Sequence, residues 1–159
     1  MIRKATFSDL DEILKIYSCA REFMKNTGNP TQWKNGYPSR EILEEDIEKS
    51  RLYLCEEENI LLGVFVFFLG GDPTYSYIEG AWKDESPYGT IHRIASSGAK
   101  KGFFTKAMQF CKTNINHIRI DTHKDNKVMQ ETLKKHGFSE CGIIYLENGE
   151  PRLAFEYVD

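Results

Sequence analysis

The segment Ile91–Phe104 combines glycines and lysines directly before a pattern typical of a helix. Unpaired N–H groups in the first turn of a helix point outwards, and the helix dipole favours negative charge there. Gly98 and Gly102 let the backbone approach a bound group closely, and Lys100 and Lys101 add positive charge. The segment therefore predicts a loop that holds a phosphate-bearing ligand, with an ordinary turn as the alternative.

The loop matches neither of the two common nucleotide-binding fingerprints. No Gly-Lys-Ser/Thr follows at the spacing of a P-loop, and the G-x-G-x-x-G pattern of dinucleotide-binding domains is absent. An ordinary α/β nucleotide-binding protein is therefore disfavoured, and the ligand must be held in another way.

A second strand and helix follow at Ile118–Phe138. Asn126 opens the helix, Leu133 lies seven residues later, and Gly137-Phe138 ends the unit. The earlier segment contributes a strand with the run His92-Arg93-Ile94-Ala95. In this order and spacing the two units resemble the Gcn5-related N-acetyltransferase (GNAT) family, and the order of elements fits over essentially the whole chain.

The resemblance implies acetyl-coenzyme A as the cofactor, with its pantetheine arm between two splayed strands and its pyrophosphate on the loop. The cofactor contacts that it implies are Ile94, Ala95, Ser96, Gly98, Lys100, Lys101, Gly102, Phe103, Phe104, Thr105, Asn126 and Met129. The implied activity is direct transfer of an acetyl group to a primary amine of a small molecule or peptide.

Two features depart from the family pattern. If Gly102 is the first loop glycine, Ala99 stands where the family usually has Arg or Gln, and Phe104 where it has a small residue. Leu133 replaces a Tyr that in many members protonates the departing thiolate. A thiol with a pKa of about 8.5 leaves without strict need of an acid. The departures still motivate an alternative function, a catalytically weak or inactive coenzyme A-binding or regulatory module.

Acetyl transfer to an amine needs a base, because only the neutral amine attacks a thioester. By the family layout, Glu79 and His92 face the cleft and are the candidates for this base. The alternatives are an exposed strand glutamate and a histidine that makes a structural hydrogen bond. Backbone N–H groups near Ile94 are expected to polarise the thioester carbonyl.

The loop between the first two helices is where the family shapes its acceptor pocket. This loop contains Gln32, Trp33 and Tyr37, and Trp82 lies beside the same cleft in the family layout. We expect these four side chains to contact the acceptor, with packing on the core as the alternative for the aromatic loop residues. The four histidines have no metal-ligand spacing, so no metal site is predicted.

Hydropathy patterning predicts the elements that must position these residues. Strands are predicted at Ile2–Thr6, Leu52–Glu56, Leu61–Leu69, Tyr75–Ala81, Gly89–Ser96, His117–Thr122, Phe138–Leu146 and Pro151–Val158. Helices are predicted from Ser8 to Asn26 and at Arg40–Lys49, Gly102–Asn114 and Asp125–His136. This order indicates an α/β fold with a mixed, mostly antiparallel sheet, about four helices and one parallel crossover. The resemblance implies the acyl-CoA N-acyltransferase (GNAT) fold, in which the parallel strands splay apart.

Composition sets the remaining expectations. A chain of 159 residues, 40% of them hydrophobic, is enough for one domain, residues 1–159. A net charge of −3 gives no general attraction to nucleic acid or to an anionic membrane, so neither is a predicted partner. Four cysteines without zinc or redox spacing, and no signal segment, predict a cytoplasmic location. The closing hairpin and the aromatic residues are compatible with a homodimer.

Overall fold

The computed structural model describes all residues 1–159 and contains eight strands and four α-helices. The strands are β1 (Ile2–Lys4), β2 (Leu52–Glu57), β3 (Ile60–Leu69), β4 (Glu79–Gly80), β5 (Gly89–Ser96), β6 (His117–Thr122), β7 (Ser139–Tyr145) and β8 (Pro151–Val158). The helices are α1 (Leu10–Asn26), α2 (Arg40–Glu48), α3 (Phe103–Asn114) and α4 (Lys127–Lys135). Short 3-10 helices lie at Phe7–Asp9 and Pro73–Tyr75.

All eight strands form one sheet in the order β1-β2-β3-β5-β6-β8-β7-β4. Every neighbouring pair is antiparallel except β5 and β6. The predicted mixed, mostly antiparallel sheet with four helices is thereby confirmed.

Helices cover both faces of the sheet because strands buried on both sides need two apolar layers. One hydrophobic cluster joins α3 to the sheet through Phe103, Ala107, Met108 and Cys111. The other joins α1 and α2 to the opposite face. Side-chain caps fix two helix starts: Ser39 Oγ accepts from the N–H of the third residue of α2, and Asn126 does the same for α4.

The parallel strands β5 and β6 stay together over a short distance only. They pair at Gly89 with Ile118 and at Thr90 with Arg119, and they separate beyond these residues. From Ile91 onward the β6-facing edge of β5 has no strand partner. The predicted splayed pair is therefore confirmed.

One predicted strand is wrong. Tyr75–Ala81 does not form a third long antiparallel strand, and β3 pairs directly with β5. Asp72 caps a 3-10 helix instead: its carboxylate accepts from the N–H of Thr74 at 2.8 Å, and Pro73 occupies the first turn. Only the two residues of β4 extend, and they lie at the far edge of the sheet.

No helix of the structure combines the length and the apolar character needed to cross a membrane. All four cysteines are free thiols, and Cys55 and Cys111 are buried among apolar side chains.

Candidate functional site

A cleft of about 880 Å³ opens where β5 and β6 separate. Its walls come from both halves of the chain: the loop before α2 and the C-terminal end of β3 on one side, and the ends of β6 and of the β7–β8 hairpin on the other. Seven predicted site residues line it together, namely Gln32, Trp33, Tyr37, His92, Ile94, Asn126 and Met129. Residues far apart in sequence thus meet in one cavity.

A bulge shapes the cleft wall in β5. The pairing register between β3 and β5 shifts beside Arg93, whose φ of 48° lies in the left-handed region. Buried Asp46 of α2 holds this strained residue, accepting from Arg93 Nε at 2.9 Å and Nη2 at 2.8 Å. The buried hydroxyl of Tyr17 donates to the Arg93 carbonyl at 2.6 Å. These bonds fix a conformation that a non-glycine residue otherwise avoids.

His92 lies between two carboxylates. Its Nε2 contacts Asp72 Oδ2 at 2.5 Å, and its Nδ1 lies 3.9 Å from Asp121 Oδ2, beyond hydrogen-bond distance. The hydroxyl of Tyr75 donates to Asp121 at 2.7 Å. With Nε2–H donated to Asp72, the lone pair of the neutral imidazole is on Nδ1. A carboxylate that fixes a histidine tautomer in this way is the arrangement of a general base and its orienting acid.

Asp72 stays ionised in this environment. Burial by itself raises the pKa of Asp72, but the hydrogen bonds from His92 and Thr74 outweigh it and lower the pKa to about 2. Burial and the neighbouring Asp121 raise the pKa of Tyr75, so that its hydroxyl remains a donor. The pair Asp72 and Asp121 thus places negative charge on both sides of the imidazole.

The loop between β5 and α3 leads into a helix start with unpaired backbone N–H groups. α3 begins after Gly102, which has a φ of 95°, and no side chain caps it. The first-turn N–H groups of Phe103, Phe104 and Thr105 therefore have no partner within the helix. Ser96 and Ser97 accept from the N–H groups two residues on, at 3.1 and 3.2 Å, which tightens the turn. An uncapped helix start fits an anionic phosphate group.

The lysines near this loop differ in their partners. Lys100 lies 3.6 Å from Glu57 and 3.5 Å from Glu58, and Lys106 lies 3.2 Å from Glu57. These exposed pairs are weak and open easily in favour of another anion. Lys101 is exposed and forms no ion pair, so its charge is available beside the loop.

Asn126 and Gln32 are joined by a direct hydrogen bond across the cleft. Asn126 Nδ2 donates to Gln32 Oε1 at 2.9 Å, while its own Oδ1 caps α4. The predicted cofactor side and the predicted acceptor loop are therefore tied together. Nearby, the hydroxyl of Thr122, a residue of the cleft lining, is buried without any hydrogen-bond partner.

Glu79 does not lie at the cleft, contrary to the prediction. It belongs to edge strand β4, is exposed, and accepts from the hydroxyl of Tyr145 at 2.8 Å. Close backbone contact between Gly80 and Gly142 holds β4 against β7, since a Cβ at Gly80 would meet a carbonyl oxygen at 2.3 Å. The predicted long strand would have carried Glu79 to the centre of the sheet, and its absence leaves this carboxylate at the edge.

Trp82 is also outside the cleft. Its ring packs on the guanidinium of Arg119 at 4.0 Å, and its Nε1–H donates to the Tyr75 carbonyl at 3.0 Å. Arg119 in turn donates to buried Glu156, which also contacts His117 at 2.6 Å. Trp82 therefore covers a buried polar cluster. His117, which by sequence resembles a surface residue, is buried there.

The two departures from the family pattern have structural counterparts. Leu133 is fully buried in the core and offers no proton donor. Phe104 packs edge-on against the ring of His136, with centroids 4.7 Å apart, and the Thr105 hydroxyl bonds the same ring at 2.9 Å. Phe103 is buried against Gly63. These side chains are engaged with neighbouring residues, so the polar groups that the start of α3 offers are its backbone N–H groups.

Sequence reasoning missed Asp46, Asp72 and Asp121. Asp72 lies in the run Gly70-Gly71-Asp72-Pro73, which reads as a turn, and Asp121 alternates with isoleucines as any exposed strand residue does. An aspartate among buried positions of an amphipathic helix was the only signal for Asp46.

Neither family models nor curated protein sequences give a match to this chain. Among solved structures, a GNAT-family acetyltransferase from Streptococcus agalactiae 2603 is 32% identical with a TM-score of 0.86, over 100% of this chain and 95% of its own. Ribosomal-protein-alanine N-acetyltransferase from Brucella melitensis is 17% identical with a TM-score of 0.64, over 100% and 99%. The GphF GNAT-like decarboxylase, in complex with isobutyryl-CoA, is 14% identical with a TM-score of 0.64, over 99% and 98%. The last two share the fold.

Proposed function

Because this chain belongs to the GNAT family of acetyltransferases, we propose that it transfers an acetyl group from acetyl-coenzyme A to a primary amine of a small molecule or peptide. The observation that carries the proposal is the position of His92, which lies beside the opening of the parallel strands with Asp72 on one ring nitrogen. A base at this point serves a reaction between two ligands, one in the groove between the separated parts of β5 and β6 and one in the rest of the cleft.

The residues present fit a coenzyme A thioester. The unpaired edge of β5 beyond Thr90 would pair with the amides of the pantetheine arm, as a neighbouring strand would. The uncapped start of α3 and the free charge of Lys101 would hold the pyrophosphate. Acetyl-coenzyme A, when bound, supplies an activated acetyl carbonyl and a thiolate leaving group. Next to the bulge at Arg93, a backbone N–H near Ile94 would polarise the carbonyl.

His92 would take the proton that the attacking amine loses. Asp72 holds Nε2–H and leaves the lone pair of Nδ1 free. After the transfer, the imidazolium would be stabilised by ionised Asp72 and by Asp121 at 3.9 Å. Leu133 offers no acid, so the departing thiolate would take its proton from water.

Thiol release from acetyl-coenzyme A in the presence of a panel of amines tests the proposal. We expect amine-dependent release, with a lower kcat/KM in His92→Gln by about a hundredfold or more, the usual contribution of a general base. The matched control is Glu79→Gln, because the Glu79 carboxylate lies at the sheet edge. We expect kcat/KM of this variant to stay within about twofold of the wild-type value. A full loss in Glu79→Gln with normal rates in His92→Gln would reverse the assignment of the base.

Phe104 and Leu133 favour one second function, a coenzyme A-binding module without turnover. Phe104 replaces a small loop residue with a packed aromatic ring, and Leu133 replaces the acid. Calorimetric binding of acetyl-coenzyme A without thiol release for any amine would support this function over catalysis. Absence of binding at millimolar cofactor would reject both.

A further inference from the structure

The α2 side of the cleft carries an excess of positive charge. Arg51 and Arg93 both bond Asp46, and this single buried carboxylate faces two guanidinium groups. Glu45 also lines this side of the cleft, but it is exposed and its charge is paired with Lys49 at 2.7 Å. Two permanent cations against one buried anion leave about one positive charge uncompensated, and a charge in this partly desolvated place is costly until it finds a partner.

Arg51 has hydrogen-bond donors to spare. Its Nε donates to Asp46 at 2.8 Å, while its terminal nitrogens make no hydrogen bond within the chain. The guanidinium lies on the cleft wall, with 23% of the side chain exposed, above the ring of Phe68 at 5.4 Å. Arg93, by comparison, uses Nε, Nη1 and Nη2 on Asp46 and Tyr37. Arg51 is therefore the group that can receive a ligand anion with two parallel donors.

Phe68 connects this cation to the proposed base. The same ring whose face is covered by Arg51 lies 6.0 Å from the ring of His92, measured between centroids. Around His92 the charge has the opposite sign, because the ionised carboxylate of Asp72 lies on one side of the ring and the side chain of Asp121 on the other. The cleft thus has an acidic end, where an ammonium group is attracted, and a basic end at Arg51 on the other side of Phe68.

From this separation of charge we infer that the acceptor is an amine that also carries a carboxylate, and that Arg51 binds the carboxylate while the amine lies beside His92. The inference rests on the proposed function and names its acceptor class. The acceptor is an amino acid, or a peptide with a free amine and a carboxylate, rather than a polyamine. Arg51 is then a specificity-determining residue that takes no part in proton transfer.

Matched acceptors test the inference directly. Acetyl transfer is measured for ω-amino and α-amino carboxylic acids of increasing length, for the carboxamide of each acid, and for diamines of the same lengths. A charge-assisted bidentate contact is expected to favour the best acid over its own carboxamide by about tenfold or more in kcat/KM. Diamines are expected to be poorer still, because their second ammonium group would meet Arg51.

Variants at Arg51 separate recognition from structure. In Arg51→Gln the ratio of kcat/KM for the acid to kcat/KM for its carboxamide is expected to fall toward one, because the KM for the acid rises. The KM for acetyl-coenzyme A is expected to stay unchanged. Arg51→Lys keeps the positive charge without the planar guanidinium, so the preference for the acid over its carboxamide is expected to be partly retained. Arg40→Gln is the control, since Arg40 is exposed on α2 and pairs only with Asp11.

The outcomes are distinct. An acid-to-carboxamide ratio that falls in Arg51→Gln and stays in Arg40→Gln supports the inference. Acetylation of carboxamides or diamines as fast as of acids overturns it and leaves the proposed function standing. A loss of activity in Arg51→Gln that is equal for acid and carboxamide overturns it as well, because it shows a structural role only. If no amine is acetylated, the proposed function fails and this inference falls with it.

Discussion

At the scale of single residues, Asp72 sets how His92 can act. The imidazole has one nitrogen bonded to an ionised carboxylate, and the other makes no hydrogen bond and lies 3.9 Å from Asp121. A carboxylate in this position fixes the tautomer and stabilises the protonated ring, so it changes both the rate and its pH dependence.

Asp72→Asn tests this coupling. Because the pKa of Asp72 is lowered to about 2, the carboxylate is ionised throughout the working range and does not itself produce the acid limb of activity. Without the anion the imidazolium is less stable and loses its proton more readily. We expect the acid limb of the kcat/KM profile to move to lower pH, and the plateau to fall about tenfold or more.

The same variant has a signature in stability. A lowered pKa stabilises the native state above the unfolded value of about 4, and this contribution disappears as the pH falls toward about 2. The part of the stability difference between wild type and Asp72→Asn that comes from the ionisation of Asp72 should therefore shrink in urea unfolding as the pH falls from about 4 toward about 2. For the kinetic prediction, an unchanged pH profile of kcat/KM in Asp72→Asn would show that Asp72 does not act on His92.

At the scale of elements, the bulge in β5 is the feature that opens the groove. Arg93 interrupts regular pairing with β3, and α2 holds the bulge through Asp46. The strain of a positive φ persists because a fully buried carboxylate and a buried tyrosine hydroxyl fix both ends of the same residue.

Asp46→Asn is expected to destabilise the protein by about 3 kcal/mol, because it leaves two guanidinium groups without their anion. Glu45→Gln is the matched control, one residue away in the same helix, where the pair with Lys49 is half exposed and little or no loss of stability is expected. Chemical denaturation of the two variants measures the difference. Equal losses would mean that the buried network does not hold the bulge.

At the scale of the whole molecule, one sheet passes through both hydrophobic clusters. β3 and β5 contribute to the cluster under α3 and to the cluster under α1 and α2. The cleft uses loops from both halves, so the acceptor side and the cofactor side cannot be separated without breaking the sheet. A single domain of residues 1–159 is therefore what we predict.

The two tryptophans report on this prediction from opposite parts of the sheet. Trp33 packs edge-on against Tyr17, with centroids 5.5 Å apart, whereas Trp82 packs on Arg119 of β6. In the single-tryptophan variants Trp33→Phe and Trp82→Phe, fluorescence and circular dichroism should give coincident urea transitions. Non-coincident transitions within either variant would show that the two parts unfold separately.

The sequence by itself determined the helices, seven of the eight strands to within a few residues, and the loop between β5 and α3. These depend on local periodicity, capping and glycine positions, which act between residues close along the chain. Through the family resemblance it also predicted seven of the residues that line the cleft, four from the pattern around His92 and Asn126 and three from the loop between the first two helices.

Only the tertiary structure decided which charged groups surround the site. Asp72 is 20 residues from His92, and Asp46 is 47 residues from Arg93, so no local pattern relates either pair. Glu79 was misplaced for the same reason, because capping by Asp72 turns the chain into a short helix and sends β4 to the sheet edge. Hydropathy records whether a residue prefers burial. Which carboxylate meets which cation depends on how the strands and α2 come together, and that arrangement fixes the chemistry of the cleft.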